Sequence, residues 1–370
     1  MKILHLVQFL GVGGLEKVLE LLIIEQKAMG HEVELMVYDH NQDWVEEFRT
    51  IGINVTTEFQ KKPGYDLNLI KYLSNKVQDF DLVHTHDLNP MMYLGPARIL
   101  SKIKGHENFP KIVHTTHGME HIDIEPRTIL YEKFIATMTE AVIGVSPAIC
   151  SYYEKKLKVD PSKIYNIDNG TPVPTSLPLY KEGKEALEKR FSLPRGKKIF
   201  CTVARVVPLK DQKILVEAMK NYPEALLLVI GPSGNDQYYK ELELMKTANV
   251  YLLGGQSKIN EILSGADLFL SASHHEGIPI SVLEAQAAGV PCLLSDIPGH
   301  LTLKENMTKD VALYFKMKSL SELKNALNKF LDPKFNLEEI RETAYNMVKQ
   351  DYSSKAMALN YQAVYTGKKC

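Results

Sequence analysis

The chain has 370 residues, of which 45% are hydrophobic and 24% charged, and it carries a net charge of −1. That is enough for two domains that each bury a core, and the charge balance lacks the basic footprint of a general nucleic-acid binder. No apolar run approaches the ~20 residues needed to span a bilayer. Four cysteines, Cys150, Cys201, Cys292 and Cys370, show no Cys-x-x-Cys spacing, so buried thiols in a reducing cytoplasm are expected.

The chain opens on Met1 to Val7, which reads as a short strand entering a glycine loop rather than as a signal peptide. Lys2 to Val7 is expected as a strand, with a turn at Gly11, Gly13 and Gly14. A helix over Leu15 to Met29, closed by Gly30, and a strand over Val33 to Tyr38 follow. That is a βαβ unit. Asp81 to His84, Lys111 to His114, Ala141 to Val145 and Ile164 to Ile167 continue the strands, separated by helices such as Leu67 to Gln78 and Pro126 to Thr139. The alternation predicts a parallel sheet.

From Thr171 the composition turns to proline and charge, which places a linker near that point. A second series follows, with strands at Lys198 to Val203, Leu226 to Ile230, Val250 to Leu253, Leu268 to Ser271 and Cys292 to Ser295. Helices fall at Asp211 to Asn221, Gln237 to Thr247 and Ile259 to Leu263. Leu337 to Tyr365 reads as two helices broken at Asp351-Tyr352-Ser353. The expected class is α/β with two Rossmann-like domains, parallel sheets facing a central cleft. The N-terminal domain would span 1–172 and the C-terminal domain 173–345, with 346–370 crossing back to the first.

Two glutamates eight positions apart, Glu276 and Glu284, lie in a strand, loop and helix junction. Unpaired amides and the positive end of a helix dipole suit an anion there. Ser281-x-x-Glu284 is also a capping box, so Glu284 can be explained by a helix starting at Ser281. Glu276, before Gly277-Ile278-Pro279, has no such explanation. Arg205 and Lys210 follow the first strand of the second series, where a guanidinium and an ammonium can meet a diphosphate without a metal. Gly231 to Gly234 follows the next strand and permits close backbone approach, or is a plain turn.

In order and spacing these residues resemble glycosyltransferase family 4, retaining enzymes of the GT-B fold that use nucleotide-sugar donors. The resemblance runs through Gly13-Gly14-x-Glu16, Gly30-His31-Glu32-Val33, Asp81-Leu82-Val83-His84-x-His86, Thr116-His117-Gly118, Val145-Ser146 and Asn169-Gly170. It continues with Arg205 and Lys210, Gly231, Gly254, Glu276-Gly277-x-Pro279 and Glu284-Ala285. Two positions depart from it: Asp211 replaces the usual glycine after the lysine, and Gln286 replaces a common methionine.

The resemblance implies that Arg205 and Lys210 hold the donor diphosphate, Glu284 the ribose and Glu276 the transferred sugar. The loop of Gly277, Ile278, Pro279 and Ile280 would contact the sugar and phosphate through its amides, with the Gly13-Gly14 turn against the donor and His117 near the sugar and acceptor. Of these, Glu276, His117, Arg205 and Lys210 would be the catalytic set. It also implies a hexosyl donor, UDP-linked, and a glycan or lipid-linked acceptor in bacterial polysaccharide, O-antigen or glycolipid assembly. No metal or other cofactor is expected.

His84-x-His86 and His114-x-x-His117 form an incomplete metal-ligand set and are expected to satisfy loop backbone groups at strand ends. His274 and His275 are candidates to line the pocket. Leu94 to Lys104 and Lys155 to Lys158 combine apolar and basic positions that suit peripheral contact with anionic membrane, or a solvated face packed on a sheet. Two other readings compete with the transferase. One is a non-catalytic GT-B nucleotide-sugar-binding protein. The other is an NAD-dependent oxidoreductase supported by Asp39, which is weakened by Glu16 at the third small-residue position of the glycine turn.

Overall fold

A computed structural model of the chain describes residues 1–368 except 12, 41, 107, 119–125, 178–179 and 305–306. Cys370 lies outside the described residues. The chain divides into two compact units, residues 1–170 with the segment from Ser354 onward, and Thr171–Ser353.

The first unit is built on seven strands, β1 Lys2–Val7, β2 Glu32–Val37, β3 Asn54–Thr56, β4 Leu82–His86, β5 Lys111–Thr116, β6 Ala141–Gly144 and β7 Ile164–Asn166. All pair in parallel in the order β3-β2-β1-β4-β5-β6-β7. The chain runs outward from β1 in one direction and returns to lay β4 on its other side. This leaves a topological switch point between β1 and β4, where ligands gather in doubly wound sheets. Strand runs such as Leu-Val-His-Thr-His in β4 are buried throughout, as a sheet covered on both faces requires.

The second unit repeats the plan with β8 Lys198–Val203, β9 Ala225–Ile230, β10 Val250–Gly254, β11 Leu268–Ser271, β12 Cys292–Ser295 and β13 Leu313–Phe315. Their order is β10-β9-β8-β11-β12-β13, so the switch point lies between β8 and β11. The core packs on both faces: Ile199, Leu228, Phe269 and Leu294 belong to one apolar cluster, Phe200, Leu227, Leu270 and Leu293 to the other.

The edge strands β3 and β13 are absent from the sequence reading, because three residues are too short to show a period. Strand β4 runs on through His86 instead of stopping at His84, and β5 through Thr116 instead of His114. The helix at the glutamate pair spans Ile280–Ala287 with Pro279 as its N-cap and no side-chain cap. Ser281 is therefore not the N-cap. Pro279 is extended, and its fixed φ lets the helix start directly behind it, which puts Ser281 inside the first turn rather than at the cap. Helix Leu337–Asp351 packs on Ile280–Ala287, and Arg341 Nε donates to Gly289 O at 2.6 Å. This holds the chain in the second unit up to Ser353, beyond the 345 read from the sequence. The last helix, Ser354–Tyr365, packs on Gly14–Ala28 in the first unit.

Candidate functional site

In the second unit the loops behind β8 and β11 face one another across the switch point. The Lys210 ammonium is hydrogen-bonded to Glu276 Oε1, which also accepts from Ser273 Oγ at 2.7 Å. Both partners of the ion pair are largely buried, with side chains 19% and 15% exposed. Glu276 Oε2 and two of the three ammonium protons remain available among the described residues. His274 N donates to Leu209 O at 2.9 Å, so backbone as well as charge ties the two loops together.

Asp211 has φ 45 and ψ 44, in the left-handed region where glycine is favoured and Asp is among the tolerated residues. Its carboxylate lies 2.9 Å from His274 Nε2. The acidic residue that follows Lys210 is thus held by His274, and the Lys210 ammonium by Glu276.

The Arg205 loop is strapped to the loop behind β9. Val206 N donates to Pro232 O at 2.9 Å and Gly234 N to Val206 O at 3.2 Å. Gln212 Nε2 holds Arg205 O at 2.9 Å. Gly231 has φ 148, and a Cβ there would lie 1.9 Å from Ala204 O, so only glycine fits. The Arg205 side chain is exposed and has no hydrogen bond or ion pair among the described residues. A guanidinium held at its backbone and open at its fork is suited to a bidentate anion.

Behind β11 the chain passes Gly277, where a Cβ would meet nothing within 4 Å, and enters the helix at Ile280. The Ile280 and Ser281 amides precede the first intrahelical bonds, which run from Val282 N and Leu283 N to Pro279 O, and stand at the positive end of the helix dipole. Glu284 is half-buried in the second turn. Ile278 and Pro279 are buried and fix the loop to the core.

Three further residues support Glu276. Gly299 packs so tightly that a Cβ would lie 2.1 Å from Gly277 O and 2.4 Å from Glu276 O. Ser295 Oγ donates to Ser273 O at 2.7 Å. His300 is fully buried, its Nδ1 donates to Ser295 O at 2.8 Å, and burial holds its pKa below the usual histidine value. Pro298-Gly299-His300 behind the next strand is the only sequence signal for them. Gln286, at the position of the common methionine, is buried and donates to Val311 O at 3.0 Å. His275 is exposed and takes no part in these contacts. A cavity of about 180 Å³ lined by Lys198, Asp267, Pro291 and Arg341 sits at the opposite end of the strands and is unconnected with this site.

Gly13, Gly14 and His117 belong to the first unit. Gly13 is the extended N-cap of Gly14–Ala28, and buried Glu16 accepts from Gly11 N at 3.0 Å. Glu16 thus shapes the glycine turn, and its burial raises its pKa. Asp39, the ribose-binding candidate of the oxidoreductase reading, is bound by Gln8 Nε2 at 2.9 Å and His40 N at 2.8 Å.

His117 is half-buried, with its amide donating to Asp87 Oδ1 at 2.9 Å. Its Nε2 lies 3.0 Å from His86 Nδ1. His84 and His86 sit within β4 and bond to side chains and to each other's neighbours. They do not serve loop backbone as the sequence suggests, because the strand continues past His84 and ends only at His86, and the rings bond to side chains instead. His5, His84 and His86 offer nitrogens within 4.8 Å of one another. All six of their ring nitrogens already have hydrogen-bond partners, so a metal would have to displace that network.

Residues 12–173 match the model of Glycosyltransferase Family 4 and residues 183–347 that of Glycosyl transferases group 1. The chain is 30% identical over 254 residues to the Escherichia coli UDP-Gal:alpha-D-GlcNAc-diphosphoundecaprenol alpha-1,3-galactosyltransferase, covering 65% of this chain and 63% of that protein. It is 28% identical over 192 residues to the Campylobacter jejuni N,N'-diacetylbacillosaminyl-diphospho-undecaprenol alpha-1,3-N-acetylgalactosaminyltransferase, covering 51% and 50%. The chain thus spans less than two thirds of either relative's length. The crystal structure of Anabaena Alr3699/HepE in complex with UDP and glucose superposes with a TM-score of 0.84 at 17% identity, over 99% of this chain and 100% of that one. That likeness is one of fold: two parallel-sheet, Rossmann-like domains of the GT-B kind.

Proposed function

The chain belongs to glycosyltransferase family 4, and from that premise we propose that it moves a hexose-type sugar from a UDP-linked donor to a lipid-linked glycan acceptor with retention of configuration. The observation that carries this reading is the Lys210–Glu276 pair at the switch point of the second sheet. It is flanked by the open guanidinium of Arg205 and by the amides of Ile280 and Ser281 at the helix start. Arg205 and Lys210 would hold the diphosphate, Glu276 Oε2 would accept from a hydroxyl of the sugar, and Glu284 from the ribose. The names of the two relatives support a diphosphoundecaprenol-linked acceptor, and that of the Escherichia coli protein a UDP-linked donor. Polysaccharide, O-antigen or glycolipid assembly is the corresponding setting.

Glu276 Oε1 is taken by Lys210 and Ser273, which makes this carboxylate a poor nucleophile. Catalysis would come from stabilising the departing diphosphate and from positioning, with the leaving phosphate taking the acceptor's proton. The two basic side chains would supply that charge in place of a metal, so activity should survive excess chelator.

A surface of the first unit supports the reading of a membrane-bound acceptor. Helices Leu88–Ile103 and Pro126–Ala136 pack together. They expose Ile103 at 77% and Leu130 at 72%, with Lys102, Lys104 and Lys133 nearby in sequence. Among the described residues no helix is long and apolar enough to cross a membrane. Peripheral contact with the anionic cytoplasmic leaflet fits this surface.

A thermal-shift and transfer screen over nucleotide sugars, with Glu276→Ala and Arg205→Ala alongside, tests the reading. UDP-sugars should stabilise the wild type, Arg205→Ala should lose that stabilisation, and Glu276→Ala should lose transfer. Absence of any shift with any nucleotide sugar would refute it.

A further inference from the structure

The first unit contains one buried hydrogen-bonded chain that ends at His117. Gln26 Oε1 is a carbonyl oxygen and accepts from His5 Nε2 at 2.8 Å. His5 is a neutral imidazole, since burial pulls its pKa down to about 4. A neutral imidazole donates from one nitrogen and accepts at the other. His5 Nδ1 must then accept from His86 Nε2, at 2.9 Å. His86 Nδ1 must in turn accept from His117 Nε2, at 3.0 Å. The proton of His117 is thereby placed on Nε2, and its Nδ1 keeps a lone pair with no partner among the described residues.

The other side of Gln26 fixes which way its amide points. Gln26 Nε2 donates to Tyr365 OH at 3.1 Å; Thr115 Oγ1 spends its proton on Tyr361 OH at 3.4 Å, so it must accept from His84 Nε2, and His84 Nδ1, 2.7 Å from Tyr365 OH, must accept from that hydroxyl. His84 Nε2 then donates to Thr115 Oγ1 at 2.7 Å. His5, His84, His86, Gln26, Thr115 and Tyr365 are all buried, so water cannot reset any link. Only His117, at the end, is partly open.

We propose that Gln26, oriented by Tyr365, acts through His5 and His86 as a positioning relay that holds His117 in its Nε2–H tautomer, so that Nδ1 is presented as an acceptor for a sugar hydroxyl. The last clause rests on the reading that His117 faces the reacting sugar or acceptor. The relay itself does not. His5, Gln26, His86 and Tyr365 are positioning residues, acting on substrate only through His117.

The test uses the full-length protein labelled with 15N-histidine, with ring tautomers read from long-range proton–nitrogen spectra. The wild type should show His117 protonated at Nε2 alone. His5→Phe, which keeps ring volume and cuts the chain, should give a mixture of both tautomers. It should also lower kcat for sugar transfer about tenfold, the scale of outer-shell partners that orient a histidine, with KM for the nucleotide sugar unchanged. Tyr365→Phe removes one oxygen at the far end and should mix the tautomers more weakly, which keeps the test available if His5→Phe fails to fold. A wild-type His117 protonated at Nδ1, or a tautomer unmoved in the folded variants, overturns the relay. A mixed tautomer with unchanged kcat leaves the relay standing and removes His117 from the sugar.

Discussion

If Lys210 holds the donor diphosphate and Glu276 the sugar, one ion pair serves two ends of a substrate. Each would spend part of its capacity on the other: Glu276 Oε1 meets Lys210 and Ser273, leaving Oε2, while the ammonium keeps two donors. Lys210→Met should therefore weaken both donor binding and departure of the diphosphate, seen as a higher KM for the nucleotide sugar together with a lower kcat. Glu276→Gln should chiefly lower kcat, by about a hundredfold if it contributes on the scale of one preorganised polar group. Equal effects of both variants on both constants would contradict this division. The buried histidines give a second expectation. His5 titrates near 4 when folded against an ordinary 6.5, so between those values the unfolded chain binds the proton that the folded chain refuses. Its contribution to stability is complete above pH 6.5 and is lost as the pH falls towards 4, on the order of 3 kcal/mol for His5 alone. His84, His86 and His117 are shifted in the same direction by burial. Urea unfolding of the first unit should show a falling midpoint over that window, and a flat profile would count against neutral buried imidazoles.

The loop that carries Glu276 owes its position to the elements on either side. Ile278 and Pro279 anchor it, and Gly299, at N2 of the short helix Pro298–Leu301, lets a neighbouring backbone approach. Gly299→Ala would push a methyl into Gly277 O and Glu276 O. Thermal unfolding should show destabilisation by about 1–3 kcal/mol, the usual range for overpacking, and transfer activity should fall further than that loss explains. Gly277→Ala is the matching control, because open space surrounds that position. Its unfolding temperature should match the wild type. The Glu276 motif was legible in the sequence because its residues are consecutive. Gly299 was not, since a glycine is read as a turn until the backbone it admits is known.

Each unit has its own cores, but the first is completed only by the chain end. Tyr361 and Tyr365 are buried, Gly170 N donates to Met357 Sδ at 3.2 Å, and Ser354 Oγ donates to Glu25 Oε1 at 2.6 Å. A chain ending at Ser353 should lose the cooperative transition of the first unit, with limited proteolysis cutting before Thr171. The unfolding of Thr171–Ser353 should be little changed, and equal loss in both would show that the units are not independently stable. The alternation of apolar runs and helices, with glycines and charges at strand ends, by itself determined the two α/β units and placed Arg205, Lys210 and Glu276 in loops behind strands, with Glu284 in the helix that follows. Such signals are local, carried by residues within one turn or one loop. The tertiary structure alone decided that Lys210 is paired with Glu276, that Asp211 turns to His274, and that Gln26, His5, His86 and Tyr365 form one buried chain to His117. Those contacts join residues distant in sequence: strand order sets β1 beside β4 and β8 beside β11, and helix packing brings Gln26 and Tyr365 to them, so local propensity alone could not reveal them.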